Sequence, residues 1–382
     1  MFPLPNRDEM IKSLDNRLRH IYAFISLFLL LASCQEAGTI KVDFDSAHDA
    51  ISVRDIVESI TPIVLDGPIE DTLIPKGRYT LTCGEQGCFV LDLFSDYAIH
   101  VFDSTGKFIQ KLDYRGKDTG HYKMVYDLLL DEESGLLVVL DPTGKIIRYT
   151  LSDGFSFYDE LSFSEVMPAA HSICLLSKGV YGLYSLSAKK PIYVCSFVDK
   201  TVIPIHNCQI PAWLRMSPFM FSSSSPFYLY GKQAYYFDRL NGSVYTVDQK
   251  GLRPYVRWDF GDYQIKEKEI APDQSLTYYV NLLQKSSYRH IGPFGAIAET
   301  DRYILANCLF RNQESTIMYD KKEKRVRTFQ RTTDGKRLKL GQIYNGSMYI
   351  LVPWDQASLY VDSFLLPKSR TNNYLILKYD FR

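Results

Sequence analysis

The sequence predicts an all-β protein, a six-bladed β-propeller of four-stranded blades. Three observations carry that expectation. One unit recurs from residue 86 to the end of the chain: a short apolar strand, an aspartate, a tight turn rich in Gly, Lys or Asn, and a second strand. Tyrosine and phenylalanine are abundant, at 28 and 22 residues, and aromatic and β-branched side chains suit a pleated surface. Helical periodicity is almost absent, the exception being Leu276 to Tyr288, where a short helix fits a connection between blades.

The clearest copies of the unit are Ile99 to Ile109, around Asp103-Ser104-Thr105-Gly106-Lys107, and Val138 to Ile147, around Asp141-Pro142-Thr143-Gly144-Lys145. Weaker copies fall at Ser196 to Val202, Tyr235 to Tyr245 and Thr316 to Lys322, and the chain ends on Leu375 to Asp380, a strand and aspartate with no turn to follow. Asp bonds its own backbone two residues on and Gly or Asn accepts positive φ, so each copy is a hairpin signal. A β-sandwich has the same local hairpins; recurrence along the whole chain favours radial blades, each about 55 residues long with its loops.

Before the blades comes a leader. Arg7, Lys12, Arg17 and Arg19 form a basic segment, Ile21 to Leu31 is apolar apart from Ser26, and Leu31-Ala32-Ser33-Cys34 follows. That run is too short to span a bilayer, which takes about 20 apolar residues. Leu31-Ala32-Ser33-Cys34 resembles the lipobox of bacterial lipoproteins, which implies removal of residues 1–33 and acylation of Cys34. Residues 34–52 are then a lipidated N-terminus and linker, and 53–382 the propeller. An uncleaved signal anchor is the competing reading.

Removing 1–33 leaves a chain with net charge −1. With no long basic block, nucleic-acid binding is excluded, because it depends on clustered Lys and Arg. Six further cysteines, Cys83, Cys88, Cys174, Cys195, Cys208 and Cys308, would sit in an oxidising compartment. Cys83 and Cys88 either bridge a hairpin or stay buried thiols; spacing alone leaves both open. No second Cys pair completes a zinc set.

The order Ile56-Val57-Glu58-Ser59-Ile60, Leu65, Leu73-Ile74, then Val101 to Ile109, resembles the NHL-like six-bladed β-propeller lipoproteins of Bacteroides-type bacteria. The later stretches Tyr288 to Ile291, Glu299 to Ile304 and Tyr319 to Lys321 share that resemblance, which covers nearly the whole chain after Cys34. It implies a cell-envelope location at the outer membrane, on the periplasmic or the surface side, and it implies no particular reaction. Family members usually carry a Gly-x-Gly-Pro-Gly-Glu-Tyr segment after the first hairpin. Here Gly116-Lys117-Asp118-Thr119-Gly120-His121-Tyr122 lacks the proline and the glutamate.

That glycine-containing loop makes Tyr114, Arg115, His121 and Tyr122 candidate ligand contacts, since loops on a rigid scaffold commonly carry binding. Arg289 and His290, beside Gly292-Pro293, form a second cluster, and Trp213 and Trp354 are candidate stacking platforms. Each has a plainer alternative in packing or solvation. The acids of Asp43-Phe44-Asp45-Ser46-Ala47-His48-Asp49 are spaced closely enough to offer oxygen ligands to calcium, although they lack the turn glycine of a known calcium loop and read as a solvated linker. No cofactor is expected, and the signatures Gly-x-Ser-x-Gly and His-Glu-x-x-His are absent.

The function these features favour is recognition without turnover. A membrane-anchored propeller would bind a glycan, a peptide or an envelope protein through its loops. The alternatives are a metal-dependent hydrolase or lactonase-like propeller, which needs acids, amides or histidines converging on the axis, and a structural subunit of an outer-membrane complex.

Overall fold

The computed structural model describes residues 38–45, 51–68, 73–74, 79–93, 96–188, 190–205, 225–239, 242–264, 275, 277–278, 281, 291, 294–311, 313–368 and 372–382. Thr39–Arg382 make one compact unit and Met1–Gly38 another. Six antiparallel four-stranded blades follow one another in a ring, as expected.

Blade 1 is β3 (Tyr79–Gly84), β4 (Gly87–Asp92), β5 (Ile99–Phe102) and β6 (Phe108–Leu112). Blade 2 is β7 (Asp127–Asp131), β8 (Leu136–Asp141), β9 (Lys145–Thr150) and β10 (Phe157–Ser162). Blade 3 is β11 (Ser172–Ser177), β12 (Val180–Tyr184), β13 (Ile192–Ser196) and β14 (Thr201–Pro204). Blade 4 is β15 (Phe227–Tyr230), β16 (Gln233–Asp238), β17 (Ser243–Asp248) and β18 (Gly251–Asp259). Blade 5 is β19 (Phe294–Glu299), β20 (Tyr303–Phe310), β21 (Gln313–Asp320) and β22 (Arg325–Phe329). Blade 6 takes β23 (Gln342–Tyr344), β24 (Ser347–Pro353) and β25 (Tyr374–Phe381) from the C-terminus and its outer strand β2 (Val57–Val64) from the N-terminal side.

That borrowed strand closes the ring. β2 pairs with β25 from Val57↔Phe381 to Val64↔Leu375, so the last aspartate has its partner strand after all, supplied from far away in sequence. Asp380 fixes it, accepting from Ser59 Oγ at 2.7 Å and from Ser347 Oγ at 2.6 Å. A one-turn helix, α1 (Val53–Ile56), leads into β2, capped by Ser52 and Asp55 in a reciprocal capping box.

The stretch expected to be linker is structured where it is described. β1 (Gly38–Lys41) adds a fifth strand to blade 4 against β18. Phe44 stacks on Phe310 at 4.3 Å between ring centroids, and Asp45 accepts from Tyr263 Oη and pairs with Arg311 at 3.3 Å. Asp45 is thus held by protein donors, and Asp49 lies outside the described residues. Most of Leu276 to Tyr288, where a helix was expected, also lies outside them; Thr277, Tyr278 and Asn281 are helical.

Apolar burial explains the ring. Strands of the middle of a blade are buried on both faces, and their alternate residues serve two different seams. In β8, Leu137 and Val139 pack with Phe89, Leu91 and Val101 of blade 1, whereas Leu136, Val138 and Leu140 pack with Tyr181, Leu183 and Cys195 of blade 3. Each of the six seams has its own apolar cluster of described residues. Burial of one such side chain stabilises by about 1.5–3 kcal/mol, so the seams hold the blades without helices.

Polar ties supplement the seams near the inner strands. Gln342 of blade 6 brackets Cys83 of blade 1, accepting from its N–H and donating to its carbonyl at 3.2 Å. Glu132, just after β7, accepts from the Glu85 N–H at 2.6 Å. Cys83 and Cys88 face each other across the β3–β4 hairpin and are joined by a disulfide, which decides between the two readings of that pair. Cys174, Cys195 and Cys308 are buried free thiols.

Candidate functional site

Among the described residues a well-formed concavity lies at the seam of blades 5 and 6. Its wall on blade 5 is Asn307 from β20 and Gln313, Glu314 and Thr316 from β21. The connection from β22 to β23 crosses in front of them, bringing Gln330, Arg331, Arg337, Leu338 and Lys339, and Tyr360 of the β24–β25 connection completes a cleft of about 340 Å³. Pockets of about 300–1,000 Å³ are the usual size for small ligands.

The crossing segment is pinned rather than loose. Asn307 Nδ2 and Thr316 Oγ1 both donate to the Leu338 carbonyl, at 3.3 and 3.4 Å, and Arg337 N–H donates to the Leu359 carbonyl at 2.8 Å. Leu338 itself is buried in the apolar cluster of the seam. Lys336, on the same segment, is held by the Ser358 and Val361 carbonyls and by Asp362 at 3.3 Å. A short helical turn, Trp354–Leu359, delivers Tyr360.

Two features make the cleft chemically uneven. Arg331, Arg337 and Lys339 line it against a single carboxylate, Glu314, and among the described residues none of the three cations is in an ion pair. Their contacts are neutral: Arg331 donates to the Gly335 carbonyl at 3.4 Å and Lys339 to the Leu351 carbonyl at 3.0 Å. Glu314 is engaged by Asn307 Nδ2 at 3.1 Å. That bond fixes the amide's orientation, because a flipped Asn307 would set its oxygen against Glu314 and the Leu338 carbonyl. The Asn307 Oδ1, buried, is left with no protein partner. An unpaired buried acceptor costs about 1–3 kcal/mol, which a donor on a ligand or a water recovers. Burial raises the Tyr360 phenol above its ordinary value, partly offset by Arg337 alongside, so the ring presents a neutral hydroxyl.

Of the residues singled out from the sequence, none of the described ones lines this cleft. Tyr114, Arg115, His121 and Tyr122 come together on the connection from β6 to β7, where the backbone of Arg115 bridges that of Tyr122. Tyr122 is completely buried in the seam of blades 1 and 2, and its hydroxyl accepts from the Tyr114 N–H at 3.1 Å. Tyr114 stacks on Tyr149 at 4.8 Å and donates to the Phe155 carbonyl. Arg115 is clamped by Asp113 with both nitrogens, and the His121 ring packs against Gly116 with its Nδ1 3.2 Å from the Thr119 carbonyl. Tyr122 and Tyr114 thus pack into the seam of blades 1 and 2, whereas Arg115 and His121 make their contacts within the loop.

Trp354 is half-buried and packs on the same apolar cluster as Leu338 and Tyr360. Trp213, Arg289, His290 and Cys34 lie outside the described residues. The cleft residues had one signal in the sequence, the local basic run Arg331, Lys336, Arg337 and Lys339 in a chain of balanced charge. Among the described residues no group of three or more His, Cys, Asp or Glu side chains gathers as a metal site.

Fold and cleft together define a closed six-bladed propeller with a polar pocket at one seam. A family model described as "Domain of unknown function (DUF4934)" matches residues 38–362, and the chain belongs to that family. Among solved structures the chain is similar to a protein of Bacteroides fragilis NCTC 9343 that carries the provisional name of an exported protein. The two share 15% identity at a TM-score of 0.68, over 91% of this chain and 100% of that one. A Bacteroides thetaiotaomicron VPI-5482 protein of unknown function aligns at 11% identity with a TM-score of 0.45, over 85% of this chain and 76% of that one. No curated protein sequence matches the chain.

Proposed function

We propose that this protein is a lipid-anchored, extracytoplasmic propeller that binds a glycan or peptide in the cleft between blades 5 and 6 without chemical turnover. The observation that carries the reading is the cleft itself: a polar concavity on a rigid scaffold, lined by three cations that among the described residues form no ion pair and face one carboxylate, Glu314. Location outside the cytoplasm is supported by the Leu31-Ala32-Ser33-Cys34 sequence and by the Cys83–Cys88 disulfide, a bond that persists in oxidising compartments. Acyl chains on Cys34 would hold the molecule at the outer membrane, each buried methylene contributing about 0.8 kcal/mol.

Two experiments test this. Thermal unfolding of the purified protein against a panel of glycans and peptides should show a rise with one class, since a ligand at about 100 times its Kd adds about 2.7 kcal/mol. A rise with calcium alone would instead favour the metal-dependent hydrolase. For the anchor, cells fed labelled palmitate should label the wild-type protein and leave Cys34→Ala unlabelled; equal labelling of both would remove Cys34 as the acylated residue.

A further inference from the structure

We infer that the ligand of the blade 5–6 cleft is anionic, a glycan bearing carboxylates on its sugar rings; this rests on the proposed binding function. The lining carries Arg331, Arg337 and Lys339 against Glu314 alone, a local excess of two positive charges on a chain whose total charge is balanced. Elsewhere several arginines have carboxylate partners: Arg54, Arg148, Arg253, Arg302 and Arg327. Even Lys336, next to Arg337 in sequence, has Asp362.

Cations left unpaired along one cleft repel one another, and a bound carboxylate would relieve that. Guanidinium groups also match a carboxylate's two oxygens with two parallel N–H donors, which is the reason for assigning a carboxylate rather than a generic anion. The rest of the lining decides between sugar and peptide. Gln313, Gln330, Thr316 and the Tyr360 hydroxyl supply donors and acceptors for ring hydroxyls, and the unpartnered Asn307 Oδ1 accepts from one more. Leu338 is the one aliphatic residue among the described lining and it is buried, so the cleft offers little aliphatic surface for a peptide's side chains.

The test is isothermal titration of the purified full chain with galacturonic acid oligomers, with the same oligomers after reduction of their carboxyl groups, and with acidic tripeptides. Binding of the uronate oligomer, weakened at least about tenfold by carboxyl reduction and by Arg337→Gln, is the expected result; about tenfold corresponds to loss of one charge-assisted hydrogen bond. Arg253→Gln, on the exposed rim of blade 4, should bind as wild type and serves as the control for a general charge effect. Circular dichroism and the midpoint of thermal unfolding check that each variant is folded.

Equal affinity for acidic and reduced oligomers would overturn the anionic assignment while leaving glycan binding standing. Binding of the tripeptides and of neither oligomer would overturn the sugar assignment. Uronate binding that ignores both Arg337→Gln and Arg331→Gln would place the ligand elsewhere and overturn the assignment to this cleft. Silence with all three probes, in a protein that responds to some other ligand in the thermal panel, overturns this inference alone; silence in the panel as well overturns the binding function too.

Discussion

His171 shows how a single buried side chain sets a pH response. It is almost fully buried, its Nδ1 accepts from the Leu186 N–H at 3.1 Å, and burial pushes its pKa down to about 4. A neutral imidazole is therefore required in the folded protein, while the unfolded chain protonates near pH 6.5. The stability it contributes is present above that pH and is lost as pH falls towards about 4, by about 3 kcal/mol. Asp127 runs the other way: burial raises it to about 7, so its penalty is absent in acid and grows as pH rises to that value. The two oppose each other in the wild type. Urea unfolding of His171→Gln beside the wild type isolates the first, and the wild type should lose stability relative to the variant between pH 6.5 and 4. Glu299 makes a second residue-scale prediction. Its carboxylate is fully buried between blades 4 and 5 and takes Tyr228 Oη at 2.9 Å, Tyr255 Oη at 2.7 Å and Lys321 Nζ at 2.6 Å. Glu299→Ala leaves Lys321 with the Thr300 carbonyl but no carboxylate, and breaking a buried pair in this way costs about 3–5 kcal/mol in denaturant unfolding.

At the scale of elements, the hairpins were legible in the sequence and their phase was not. Asp103 and Asp141 head nearly identical turns, each accepting from a threonine N–H and hydroxyl two residues on. Yet Asp103 joins the third and fourth strands of blade 1, and Asp141 the second and third of blade 2. Successive antiparallel strands alternate direction, so the two turns belong to opposite ends of their blades. The turn chemistry is local and says nothing of which strand is innermost. Asp248, which bonds Lys250 and Gly251 N–H in blade 4, is the equivalent of Asp103. Closure was illegible for a similar reason: β2 meets β25 across the whole chain, and nothing in Val57 to Val64 names its partner. Truncation separates the roles of the two N-terminal strands. Removing residues before 51 takes away β1 and Phe44 and should lower stability while keeping a single unfolding transition. Removal through residue 64 opens the ring, exposing the edge of β25, and the transition should broaden or vanish.

For the molecule as a whole, the ring explains why the candidate residues of one loop gather at the seam of blades 1 and 2. Gly116 and Gly120 let the connection after blade 1 fold back, Gly120 at φ 75° against Phe157, and the folded loop seals a seam. A binding site on such a scaffold is assembled from segments that only the ring brings together, here residues 307–316, 330–339 and 360. The basic run was the sole part of it visible in sequence, and its meaning depends on which of those cations find carboxylates. The most direct test of the account is hydrogen exchange of the purified protein with and without the tightest-binding compound of the thermal panel. Slowed exchange concentrated in residues 303–316 and 330–340 is the predicted result. Protection centred on residues 114–122, or spread over no blade in particular, would contradict a ligand cleft between blades 5 and 6.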